Sequence, residues 1–152
     1  MEQNAFQIQE IKFTKTTTRN FSSGKYYQIL LIGKGECHFQ FDENWTYCNT
    51  EVAVFLKPNE KISMNYHHNK YPLELLSVRI LPEYLQELSD ETCDLEKNFA
   101  FIPLSKAMIH LDTRDTTLLK NVTKTMLVLS QSENNFGHQL YEKNMLSILA
   151  IL

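Results

Sequence analysis

Between Tyr26 and Met64 the chain is a succession of short apolar or β-branched runs, each ended by turn residues. The runs are Tyr26–Ile32, Glu36–Phe41, Trp45–Cys48, Val52–Leu56 and Ile62–Met64. Runs this short and this evenly punctuated argue for antiparallel strands in a sandwich or barrel. Gly33-Lys34-Gly35 separates the first two, and both glycines can take the positive φ that a tight hairpin needs. Asp42 and Asn44 suit the next turn because their side chains bond nearby backbone. Pro58 has no N–H to give a ladder, so it belongs between strands or at an edge.

The rest of the chain divides around this block. Residues 5–19 read as one or two leading strands, and Asn20 to Lys25 as a polar loop. Leu73 to Leu81 reads as another strand, and Pro82 to Leu88 as a short helix with proline in its first turn. Phe99 to Leu104 reads as a last strand, continued by Ala107 to Leu111. From there the periodicity turns helical. Asp112 or Thr113 can cap a helix beginning near Arg114, with Leu118, Leu119, Val122, Met126 and Leu129 on one face. A second helical stripe, Tyr141, Met145, Ile148 and Leu152 with Leu149 beside it, runs to the end. No glycine, proline or basic last turn closes it, which reads as a fragment cut in or just after a helix. The expected division is residues 1–111 as a β-barrel and 112–152 as a helical segment.

Composition narrows the function. The 152 residues carry a net charge of −3, so no whole-chain basic field draws in nucleic acid. Three cysteines, without metal-type spacing, give neither a disulfide framework nor a zinc site. The start, Met1-Glu2-Gln3-Asn4, lacks the regions of a signal peptide, and no apolar run approaches a membrane span. The expected location is the cytoplasm. Four glycines do not build a phosphate loop. Cys37-His38 could suggest a nucleophile and base, but adjacent side chains on a strand diverge. The carboxylates Glu83/Glu87 and Asp90/Glu91/Asp94/Glu96 read as solvated faces.

The order of these features resembles the amino-terminal domain of AraC-type transcriptional regulators. Gly33-Lys34-Gly35 sits where that family has its strand-turn glycines, and Thr50-Glu51 where it usually has Gly-Asp. Val52–Leu56 followed by Lys57-Pro58 matches its proline turn. Arg79 to Leu85 resembles its strand-to-helix step, and Phe101-Ile102-Pro103-Leu104 with two helices completes the order. The resemblance implies a mainly β fold: a cupin-like double-stranded β-helix, or jelly-roll, barrel followed by two C-terminal helices. It further implies a non-catalytic domain that binds a small-molecule effector in the barrel and forms a homodimer through its helices. DNA would be contacted by a helix-turn-helix domain absent from this chain.

Metal cupins carry a His-any-His pair and a Glu before the first glycine turn, and a further His after the proline. Counting from Gly33 and Pro58 puts Asn20, Ser22, Tyr26 and Ile62 at those places. None is a good transition-metal ligand, so neither metal nor other cofactor is expected. If Tyr26 points inward, as the position it replaces would, so do Gln28 and Leu30 by the two-residue period. Ile62 likewise brings Met64 and Tyr66 inward. The resemblance adds Thr18, Leu75 and Ser77 as effector contacts. Such a lining either leaves a pocket or fills solid, and the sequence leaves both open. Tyr141, Met145, Ile148, Leu149 and Leu152 are the expected dimerisation stripe. Two other classes remain: a stand-alone metal-dependent cupin isomerase or oxygenase, and a purely structural dimerisation module.

Overall fold

The computed structural model describes residues 6–84 and 107–129. Nine strands and one complete helix lie in these segments. The strands are β1 Phe6–Phe13, β2 Thr17–Ser22, β3 Tyr27–Lys34, β4 Cys37–Phe41 and β5 Asn44–Cys48, then β6 Val52–Leu56, β7 Lys61–Tyr66, β8 Leu73–Ile80 and β9 Ala107–His110. They form two antiparallel sheets, a five-stranded one ordered β1-β8-β3-β6-β9 and a four-stranded one ordered β2-β7-β4-β5. Helix α1 spans Thr113–Leu129. The Asp112 carbonyl accepts the Thr116 N–H at 2.9 Å, which makes Asp112 the capping residue.

Burial explains why the strands differ in pattern. β7 alternates exposed or half-buried with buried residues, because one face of the four-stranded sheet is open to solvent. β6 is buried throughout, because the five-stranded sheet is covered on both faces. Its inner residues, Val52, Val54 and Leu56, join Leu30, Ile32, Phe39, Met64, Tyr66, Leu73 and Leu75 in one contiguous apolar cluster between the sheets. On its outer face Tyr27 lies against Phe55 with ring centroids 5.9 Å apart, and Phe6 meets Tyr84 edge-on at 6.5 Å.

The turns follow backbone chemistry, with one correction. Asp42, at φ 57°, begins the two-residue turn that closes the Phe41–Asn44 pair. Asn59, at φ 64°, ends the Pro58 turn. Of the two glycines, Gly35 has positive φ, at 87°. Gly33 instead sits inside β3, where the register with β8 shifts between Ile32 and Lys34. A bulge, not a turn, is its role.

Three other expectations change. Asn20, Phe21 and Ser22 extend β2 rather than form a loop, because each pairs with β7. That register buries Phe21 and leaves Asn20 and Ser22 exposed. Positions expected to correspond to an inward ligand pair therefore face solvent. Leu118, expected on the covered stripe of α1, is 43% exposed, while Thr116 is buried. Two residues are about 200° apart on a helix, so one face cannot hold both. The expected strand at Phe99–Leu104, most of the Pro82 helix and the helix after His138 lie outside the described residues. So do Tyr141, Met145, Ile148, Leu149 and Leu152.

Candidate functional site

The inner face of the five-stranded sheet changes character along its length. Strand register sets Ile11, Leu75 and Ile32 side by side across β1, β8 and β3, with Phe13 and Leu73 beyond them. All five are in or against the apolar cluster. Two residues the other way stand Gln9, Ser77 and Leu30, and two further stand Gln7, Arg79 and Gln28. Directly opposed residues in an antiparallel sheet share a face. One end of the interior is therefore apolar, and the other carries a row of two amides flanking a guanidinium.

This polar end is tightly organised. The Gln28 amide nitrogen donates to Ser77 Oγ at 3.0 Å, although 49 residues separate them. Arg79 Nη2 donates to the Ser23 carbonyl at 2.9 Å, and Nη1 lies 3.5 Å from Gln7 Oε1. The Tyr26 ring lies under the guanidinium, 4.3 Å from its centroid. Ser23 is itself fully buried. Its hydroxyl donates to the Lys57 carbonyl at 2.6 Å and accepts the Glu60 N–H at 2.9 Å. The Pro58 turn thus anchors the loop that holds Arg79. Two buried atoms here have no hydrogen-bond partner: Gln28 Oε1 and Arg79 Nε.

The expected site residues fall into three groups. Tyr26, Gln28 and Ser77 come together around Arg79 at the polar end. Ile62, Met64, Tyr66 and Leu75 belong to the apolar cluster, and the Tyr66 hydroxyl donates to the Tyr71 carbonyl at 2.7 Å. Thr18 joins neither group: it is exposed, with its hydroxyl on Asn65 Oδ1 at 2.9 Å. Arg79, Ser23 and Gln7 were not among the expected residues. A signal for Arg79 exists, since it is the one cation in the run Leu73–Leu81 and the two-residue period from Ser77 lands on it.

Other chemistry among the described residues is spoken for. Cys37 is buried, while His38 projects from the opposite face against Tyr47, their rings 5.8 Å apart. Cys37 and Cys48 are directly opposed across β4 and β5, and both are free thiols. Burial, above all, pushes the Cys48 thiol up to about 11 and Cys37 further still, helped by Cys48 and Glu36. Both thiols are thus protonated and inert in the folded protein. Peptide mapping after iodoacetamide treatment at pH 8 should find neither modified until the protein unfolds. The same shift makes the protein lose stability as pH rises above about 9, where unfolded thiols ionise and buried ones do not. No group of three or more His, Cys, Asp or Glu among the described residues is placed to hold a metal ion. A cleft around Leu31, Val52, Leu111, Thr116 and Lys120 admits little more than a water molecule. No helix among them is long and apolar enough to cross a membrane.

Comparison with known proteins fits this architecture. The sequence profile of the AraC-like ligand binding domain matches residues 13–146. The chain belongs to that family. No curated protein sequence matches significantly. Among solved structures, apo ToxT K231A from Vibrio cholerae superposes with a TM-score of 0.69 at 14% identity, over 94% of this chain and 53% of that one. Wild-type Vibrio cholerae ToxT bound to an unsaturated fatty acid gives 0.65 at 16% identity, over 95% and 51%. The AraC-like transcriptional activator CuxR gives 0.62 at 9% identity, over 95% and 51%. At these identities the likeness is one of fold, and this AraC-like domain spans about half the length of each neighbour.

Proposed function

We propose that this AraC-like domain senses a small molecule at the polar end of its barrel and reports it to a DNA-binding domain. The observation that carries the reading is the Gln7–Arg79–Gln28 row, which makes one end of the inner face polar while the other end is apolar. Leaving a buried polar atom unpartnered costs about 1–3 kcal/mol, and this row has two such atoms. A chain built only for stability would gain by filling that end with apolar side chains. A chain built to recognise a polar group has reason to keep it. The fatty acid bound to ToxT supports an organic effector.

In this reading the sheets form a jelly-roll barrel, and the chain acts in the cytoplasm as a non-catalytic module. Homodimerisation falls to the terminal stripe of Tyr141, Met145, Ile148, Leu149 and Leu152. Effector affinity differs between two arrangements of the domain, and that difference shifts how the attached DNA-binding domains sit. A competing reading, a structural dimerisation module, draws on the contiguous packing of Phe39, Met64, Tyr66 and their neighbours.

A thermal-shift screen against sugars, fatty acids and aromatic acids separates the two. A true effector at a hundredfold excess over its Kd stabilises by about 2.7 kcal/mol, or roughly 5–10 °C for a chain of this size. A flat response across every class would leave the structural module standing.

A further inference from the structure

We propose that the open edge of β5 is a docking site for the β5 edge of a second copy of this chain. The contact is separate from the terminal stripe proposed above and does not depend on the effector reading. β5 is an outer strand of the four-stranded sheet, and no described strand pairs with its far side. Edge strands are commonly blunted by charge, proline or a bulge. Of the other outer strands, β1 carries Glu10 and Lys12, and β2 carries Arg19. β5, Asn44-Trp45-Thr46-Tyr47-Cys48, has no charge and no proline, and its register with β4 is unbroken. It displays instead two large aromatic side chains, Trp45 at 45% and Tyr47 at 50% exposure. The Glu36 carboxylate accepts the Tyr47 hydroxyl at 2.5 Å, and His38 meets the Tyr47 ring edge-on. Tyr47 is thus held in place before any partner arrives, which lowers the entropy that docking removes.

The strand is self-complementary about Thr46. The β4–β5 turn closes on the Phe41–Asn44 pair, and a two-residue turn closes on a hydrogen-bonded pair. Bonding then alternates along the strand, so Asn44, Thr46 and Cys48 direct their backbone groups to β4. Trp45 and Tyr47 turn theirs toward the open edge. A second copy, antiparallel about a two-fold axis at Thr46, sets Trp45 opposite Tyr47 of the second copy and Tyr47 opposite its Trp45. Each residue then donates its N–H to its counterpart's carbonyl and accepts one in return. The aromatic side chains pair on the outer face, a stabilising cross-strand combination. The same register sets Glu43 opposite Asn49, so no like charges face each other. Moving the copy by two residues sets Tyr47 opposite Glu43, or Trp45 opposite Asn49, and loses the aromatic pairs. In the favoured register the two copies share one continuous sheet of eight strands, four from each. Half-exposed rings on a five-residue strand fall short of the ~1,200–2,000 Å² that a stable complex buries. The contact is therefore weak and forms as concentration rises.

Hydrogen exchange of the full 152-residue chain, from micromolar to millimolar concentration, tests this. The Trp45 and Tyr47 amides should slow tenfold or more as concentration rises. The Thr46 amide, bonded to β4 in both states, should not change. Emission from Trp45, the chain's single tryptophan, should shift to the blue in step. Trp45→Lys with Tyr47→Lys opposes like charges across the axis and should abolish this association in analytical ultracentrifugation. Trp45→Pro removes an N–H that β4 does not use and should weaken it tenfold or more, whereas Trp45→Phe should retain it. Melting temperatures at low concentration show separately whether each variant still folds. Ile148→Glu, in the terminal stripe, should leave the amide protection at 45 and 47 intact. Exchange at both amides that ignores concentration overturns the proposal, as does protection that survives the double lysine variant. Protection lost in Ile148→Glu also overturns it, because the contact then belongs to the terminal stripe.

Discussion

Replacing Gly35 with alanine should lower stability by about 3 kcal/mol, read as a fall in the denaturant midpoint at unchanged slope. Two costs combine. Gly35 has φ +87°, a region that a residue with a Cβ rarely adopts. An added Cβ would also lie 2.5 Å from the Pro72 carbonyl oxygen and 3.1 Å from Leu73 Cα. Both obstacles are backbone, so relief means moving the start of β8 and the core residue Leu73 with it. A domain typically has about 5–15 kcal/mol in all, so the loss is a large share. Gly33→Ala is the control. A Cβ there meets Glu74 O at 3.6 Å and Leu76 Cδ1 at 4.0 Å, both ordinary contacts. Its cost should stay within about 1 kcal/mol. Equal losses at the two positions would refute this account of the turn.

Ser23→Ala should be the second-largest effect, about 2–3 kcal/mol. The hydroxyl is buried and serves the Lys57 carbonyl and the Glu60 N–H at once. Its removal strands both groups away from water. The Ser23 N–H to Glu60 carbonyl bond, at 2.9 Å, survives the substitution, as does the Glu60 carboxylate on the Lys57 N–H at 2.6 Å. These keep the turn formed and cap the loss. Ser63→Ala removes a hydrogen bond of the same length class, 2.6 Å to Asn20 Oδ1, but on the exposed sheet face. Water replaces that partner, and the change should stay within about 0.5 kcal/mol. If Ser23 proved as tolerant as Ser63, the anchoring of the Arg79 loop would need another explanation.

Local chemistry made much of this AraC-like domain legible. Each of the five runs between Tyr26 and Met64 became a strand, because turn residues interrupt the chain before any helix could form. Pro82 begins a helical turn, and Asp112 caps α1. The order of turns and strands carried the family. What local chemistry misjudged is instructive: Asn20–Ser22 reads as loop by composition, yet pairing with β7 makes it strand. Gly33 reads as a turn residue, yet a register shift against β8 makes it a bulge.

The family resemblance pointed Tyr26 and Ser77 inward, and a period of two added Gln28. That Gln28 stands opposite Arg79, with Gln7 on the other side, did not follow. Those three residues come from strands far apart in the chain, and nothing local fixes how such strands are offset. The offset is set where Phe13, Leu73, Leu75 and Ile32 pack together at the apolar end. A slip of one residue there would turn every buried side chain outward. The residues alone therefore determined the strands and their punctuation. Core packing alone decided which polar groups meet, and so what the domain can recognise.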